Sequence, residues 1–184
     1  MMSICFPVRE HIYKGDSVAY ATIYTFEAIM RSELSDVYKD LLIPTLGKTM
    51  KHVDIMIKGR FQSEGLDLTK NQFVVLKWLM GESRPQCDLA LITERDKGSL
   101  TRLIQSMERK GYVVRRTSEE DARMNMVAIT DQGRDAFNAA EPLIFGIFKN
   151  LQKGISAEEA QAAKSVLDRI LNNAKKELQS PLTA

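Results

Sequence analysis

Lys97, Ser99, Thr101, Arg102, Gln105 and Arg109 lie within one short stretch of the chain. All are cations or hydrogen-bonding groups of moderate length. Between them Leu100, Leu103, Ile104 and Met107 recur at helical spacing and form one apolar stripe. A helix that buries this stripe turns the polar set outward, and such a surface fits the major groove of DNA, where these groups meet base edges and phosphates. From Lys97 to Arg116 there are six Lys or Arg residues and one acid, Glu108, a local net of +5. The chemistry expected is recognition of a polyanion.

A second basic element follows. Tyr112 to Arg116 and Met126 to Ile129 are short β runs, and the polar stretch 117–125 between them is too long for a tight turn. A hairpin with an extended loop, a wing, is the simplest reading. Arg116 ends the first run, and Arg123 lies near the loop tip, two residues after Asp121. Asp121 as wing support can hold the Arg123 guanidinium extended toward a narrow minor groove. The alternative is a solvated ion pair of little energetic value.

These groups need a scaffold. Residues 1 to about 20 show no periodicity, whereas Thr22 to Leu42, with Phe26, Ile29, Met30, Leu34, Val37, Tyr38, Leu41 and Leu42, predicts one extra helix or two short ones; Met30 is also a possible start. Pro44 suits the first turn of a helix whose stripe is Leu46, Met50, Val53, Ile57 and Phe61, stopped by Gly65. Thr69 is a natural N-cap for a helix with Phe73, Leu76, Trp78 and Leu79 on its core side, ended by Gly81. Pro85 starts the next helix, and Gly111 ends the one after it as a left-handed cap, with Tyr112 folded back on Met107. Thr130 caps a helix with a continuous apolar face from Ala136 to Leu151, in which Pro142 is expected to cause a bend or break. Ser156 and Glu159 form a capping-box pattern before a last helix carrying Val166, Leu167, Ile170, Leu171 and Leu178.

The expected fold is mainly α with a small β-hairpin wing: a winged helix-turn-helix domain plus a helical dimerisation region. The organisation expected is an N-terminal arm and extra helix at 1–43, a dimerisation helix at 44–66, a DNA-binding domain at 67–130 and C-terminal helices completing the dimerisation region at 131–184. The first and last of these helical faces carry more apolar surface than a small winged helix can cover, so a homodimer is expected.

Residues 68–79 (LTKNQFVVLKWL), Leu89-Ala90, 96–116 (DKGSLTRLIQSMERKGYVVRR), the Asp121-x-Arg123 wing and Ile129-Thr130-x-x-Gly133 resemble, in order and spacing, the MarR family of bacterial winged-helix transcription regulators. The resemblance spans about 44–178. It implies a homodimer on an inverted-repeat operator in double-stranded DNA, usually a repressor, with a small and often aromatic acidic effector bound between the dimerisation helices and the DNA-binding lobe. His52, Met56 and Phe73 fall near that junction as candidate ligand-lining residues; ordinary core is the competing reading for each. The sequence departs from the family pattern at Glu94 and Arg95, where the turn usually carries a Gly and an apolar residue, at Gly98, where Ser is common, and at Leu91 and Ile92, often polar.

The chain has 184 residues, 44% apolar and 27% charged, with a net charge of only +2. That is globular composition, and the argument for nucleic acid rests on local clustering. No apolar run approaches a membrane span, no signal peptide is evident, and a cytoplasmic location is expected. Cys5 and Cys87 form no disulfide framework; Cys87 is expected to be a small buried or half-buried residue. With only His11 and His52, no metal site is expected, and no cofactor. No phosphate loop or nucleophile motif suggests an enzyme. Two alternatives stay open: a thiol-based redox-sensing regulator of the same fold, and a winged-helix protein-interaction module, which would need an apolar exposed face on the second helix of the motif.

Overall fold

The computed structural model describes residues 40–117 and 124–179. The extra N-terminal helix, Cys5, His11, and the wing residues Asp121 and Arg123 lie outside the described residues. The chain divides into two compact units, Met1–His52 and Val53–Ala184.

In the described part of the first unit, helix α1 (Leu42–Ser63) begins two residues before Pro44. Proline is tolerated there because the first turn has no intrahelical acceptor for the missing N–H. Here the helix is held locally. Thr49 Oγ1 donates to the Thr45 carbonyl and the His52 Nδ1 lies 2.8 Å from the Lys48 carbonyl. Leu42, Ile43 and Met50 are exposed.

The second unit opens with the end of α1, where Ile57 and Phe61 are fully buried and Val53 packs beside them. The helix stops at Ser63, followed by Gly65 at φ 70°, a left-handed conformation that glycine adopts at no steric cost. Helix α2 (Lys70–Leu79) starts with a complete capping box. Thr69 Oγ1 accepts from Gln72 N–H at 3.2 Å, and Gln72 Oε1 accepts from Thr69 N–H at 3.1 Å. Its buried positions are Gln72, Phe73, Val75, Leu76 and Leu79.

Trp78 is not in the core: it is 42% exposed. It lies outside the buried set, and with Val74 forms the outer face of α2. The Arg84 guanidinium carbon lies 5.9 Å from its ring centroid while Arg84 Nε donates to the Trp78 carbonyl at 3.0 Å, a cation–π arrangement. Gly81 follows the end of the helix. The helix ends at Leu79 with Met80 as a right-handed C-cap.

Two helices then form the helix-turn-helix, α3 (Gln86–Ile92) and α4 (Lys97–Arg109). Strand β1 (Arg84–Pro85) precedes them, and β2 (Val113–Thr117) and β3 (Asn125–Ile129) follow. The antiparallel sheet has the order β1-β3-β2, with Arg84 opposite Val127 and Val113 opposite Ile129. Pro85 therefore has two jobs, N-cap of α3 and last residue of an edge strand, the strand position where a missing N–H is tolerated.

Helix α5 (Asp131–Leu151) starts at Thr130, whose Oγ1 accepts from Gly133 N–H at 3.0 Å. It runs through Pro142 without a break. Proline frees the carbonyl one turn back, at Asn138; both residues are exposed, so water can satisfy it. Phe137, Ala140, Ile144 and Ile147 are buried, and Phe137 stacks on Phe73 with centroids 4.9 Å apart. Helix α6 (Ala157–Gln179) has the expected Ser156–Glu159 box at 2.7 and 3.2 Å, yet buries no residue.

Candidate nucleic-acid interface

Helix α4 is anchored by its apolar stripe. Leu100, Ile104 and Met107 are fully buried and Leu103 is partly buried against the same core. Asp96 caps it, accepting from Ser99 N–H at 2.8 Å. It closes with the expected Schellman motif: Gly111 has φ 70°, its N–H donates to the Glu108 carbonyl at 2.9 Å, and Tyr112 N–H donates to the Met107 carbonyl at 3.0 Å.

The predicted polar set then falls on the remaining surface. Lys97, Arg102, Gln105 and Arg109 are exposed, and Ser99 and Thr101 are half-exposed. On β2, Arg116 is exposed beyond the C-terminal end of α4. Local geometry modifies two members. Ser99 Oγ receives Arg95 Nη1 at 3.5 Å. Thr101 Oγ1 donates to the Lys97 carbonyl at 2.7 Å and accepts from Gln86 Nε2 at 2.9 Å.

Several residues that fix this surface carried no sequence signal of function. Buried Gln72 donates through Nε2 to Ser106 Oγ at 3.3 Å, tying α2 to α4. Glu108 binds β2 twice, accepting from Arg115 N–H at 3.2 Å and pairing with its guanidinium at 2.7 Å. At the end of α4, Lys110 Nζ donates to the Asp67 carbonyl and carboxylate at 2.8 and 2.6 Å, and the Tyr112 hydroxyl donates to the same carbonyl at 3.0 Å. Burial, and then the Asp67 charge, push the Tyr112 phenol above its usual pKa. Gly133 packs so closely on the sheet that a Cβ there would lie 2.1 Å from the Tyr112 carbonyl oxygen. Gly in the Ile129-Thr130-x-x-Gly133 pattern is the available clue to that contact; the others join residues far apart in sequence.

The candidate ligand residues do not share one environment. Phe73 is core, 8% exposed and stacked on Phe137. Met56 is exposed, and so is His52, which belongs to the other unit. Cys87 is exposed rather than buried or half-buried, because the first turn of α3 directs Leu89 and Ala90, not Cys87, into the core. Among the described residues no group of three or more His, Cys, Asp or Glu could hold a metal ion, and no helix is long and apolar enough to cross a membrane.

A family profile described as MarR family matches residues 66–124. The HTH-type transcriptional regulator YdgJ of Bacillus subtilis is 35% identical over 88 residues, 48% of this chain and 54% of that protein. SarZ of Staphylococcus aureus, another HTH-type transcriptional regulator, is 30% identical over 107 residues, 49% of this chain and 71% of that protein. The chain spans 54% of YdgJ and 63% of the Staphylococcus epidermidis SarZ. In three dimensions, a mutant E. coli MarR complexed with operator DNA superposes with a TM-score of 0.67 at 22% identity, over 76% of this chain and 99% of that one. The repressor CouR bound to a 23-mer DNA duplex gives 0.65 at 25% identity, over 76% and 96%. With the profile on residues 66–124, SarZ of Staphylococcus aureus matched at 30% identity over 71% of its length, and a winged-helix fold shared with the solved structures, the chain belongs to the MarR family.

Proposed function

We propose that the protein is a sequence-specific DNA-binding transcription regulator, acting in the cytoplasm as a homodimer on an inverted-repeat operator. One observation carries this reading. Helix α4 buries Leu100, Ile104 and Met107 and leaves Lys97, Arg102, Gln105 and Arg109 exposed, the side chains that read guanine and adenine edges and grip phosphates. The DNA-bound state of CouR supports it. A protein-interaction module needs the apolar face of α4 outward, and that face is inside. In this reading 67–130 bind DNA, with Lys97, Ser99, Thr101, Arg102, Gln105 and Arg116 at the interface and Arg123 on the wing supported by Asp121. The helices at 44–66 and 131–184 hold two protomers together.

Repression relieved by a small acidic, often aromatic effector completes the proposal. An effector that holds the two copies of α4 away from one DNA turn, ~34 Å, prevents both from entering successive major grooves, and weakens binding by its preference for that state. The lining candidates are His52, Met56 and Phe73, and the ring of Phe73 is stacked on Phe137. Selection of bound sequences from random duplex DNA tests the reading: an inverted repeat with half-sites about one turn apart is expected, and recovery of no enriched sequence overturns it.

A further inference from the structure

The first turns of α4 contain a hydroxyl whose hydrogen is already committed. Thr101 Oγ1 donates to the Lys97 carbonyl and accepts from Gln86 Nε2. A threonine hydroxyl has one proton, so Thr101 has none to give to guanine N7 or thymine O4. A reversed Gln86 amide would offer its oxygen to that same proton, and the hydroxyl is occupied either way. The side chain has left one acceptor lone pair and the methyl group on the same Cβ.

The surroundings of Thr101 offer apolar as well as polar groups. Thr101 borders a partly open cavity of about 280 Å³ whose wall combines Cys87, Ala90, Leu100 and Met124 with the polar Gln86, Lys97 and Asn125. The residue is half-buried there. Gln86 reaches it from a different helix, α3, and pins the rotamer from outside α4. The Gln86 Oε1 on this wall is buried without a hydrogen-bond partner. In the reversed orientation that oxygen accepts the Thr101 hydroxyl proton, so either orientation ties the two side chains together.

We propose that Thr101 reads the 5-methyl group of a thymine in each half-site by apolar contact, and that Gln86 is the positioning residue that turns the hydroxyl away from the base. Contact of a threonine methyl with the thymine methyl is an established mode of major-groove readout. The inference rests on the DNA-binding reading above.

The experiment replaces each thymine of a selected operator in turn by deoxyuridine, which removes only the methyl. Wild type, Thr101→Val, Thr101→Ser and Gln86→Met are titrated against each duplex, with thermal melting to confirm folding. At one symmetric position wild type should lose about fourfold per half-site, the equilibrium value of one buried methyl-sized group. Thr101→Val, which keeps a methyl but loses both hydroxyl hydrogen bonds, should keep the uracil penalty whatever its overall affinity. Thr101→Ser should bind both duplexes alike, and Gln86→Met should reduce the penalty while melting normally. Binding of wild type with no uracil-sensitive position, or a Val variant that binds thymine and uracil duplexes alike, overturns this inference alone. Absence of any bound duplex overturns the DNA-binding reading and this inference with it.

Discussion

Glu94 and Gly111 end the two helices of the helix-turn-helix in the same conformation. Glu94 has φ 50° and Gly111 φ 70°. After α3, Glu94 N–H donates to the Leu91 carbonyl at 3.1 Å and Arg95 N–H to the Ala90 carbonyl at 2.9 Å, the same bond pattern that closes α4. Glycine accepts this left-handed geometry freely, whereas a residue with a Cβ is strained by about 1–2 kcal/mol. Glu94→Gly should therefore stabilise the fold by about 1 kcal/mol after the unfolded-state entropy of glycine is counted, raising Tm by about 2–4 °C. The ion pair lost, Lys175 Nζ at 3.5 Å, is exposed on both sides and contributes little. A Tm that stays level or falls in a melting experiment contradicts the strain.

Gly133 makes the opposite prediction. A Cβ there meets backbone, the Tyr112 carbonyl oxygen at 2.1 Å, and Ile129 Cγ1 at 2.9 Å. Neither the end of α4 nor the start of α5 can yield without breaking the Thr130 hydroxyl bond to the Gly111 carbonyl. Gly133→Ala should destabilise by about 3 kcal/mol or more, within the range of severe overpacking. Chemical denaturation of the two proteins decides it; a loss under about 1 kcal/mol shows the contact to be soft.

Tyr112 supplies a pH dependence. Its folded pKa is raised above the ordinary 10.0, so the fold favours the neutral phenol. The corresponding stability is fully present below the unfolded pKa and is lost as pH rises through the folded one. Tyr112→Phe should cost about 1 kcal/mol near neutrality, the value of one hydrogen bond. Above about pH 10 the wild type should lose that advantage. Denaturation midpoints of both proteins from pH 7 to 11 test the sign; curves that run parallel throughout assign the hydroxyl no role in the alkaline limit.

Arg102 and Arg116 should separate reading from positioning. Arg102 is exposed on α4, and a bidentate pair with guanine makes Arg102→Ala cost about 1–3 kcal/mol and relax preference at one position of each half-site. Arg116 is exposed on β2; Arg116→Ala should weaken binding to matched and scrambled duplexes evenly and lower the salt slope by about one unit per lost phosphate contact. Titration at several salt concentrations distinguishes them, and exchanged phenotypes would reverse the two roles.

Where the governing interaction is local, the sequence was enough to find it. The caps at Thr69, Thr130 and Ser156 act within three residues, and the stripe Leu100, Ile104, Met107 is set by helix periodicity alone. Trp78 and Leu79 are adjacent apolar residues on α2, and only tertiary packing decides that Leu79 faces inward and Trp78 outward. Strand β1 has two residues and exists through its pairing with β3, too short for any periodicity. The Gln86–Thr101 and Lys110–Asp67 bonds join different elements, so no local pattern could announce them. The exposed surface of α4 was legible as a set of residues, but which of its hydroxyls remains free to donate was not.

Helix α6 buries none of its side chains within its own chain, although Leu167 and Leu171 recur one turn apart with Val166 and Ile170 beside them. In a homodimer such a helix makes folding a second-order event. Part of the free energy that keeps each chain native then scales with the logarithm of protein concentration. Melting temperature should climb on concentrating the sample, and dilution should favour proteolysis of the C-terminal turns. In the cell, the number of copies would set how many molecules are assembled before any effector or operator is met, making synthesis rate a regulatory input in its own right.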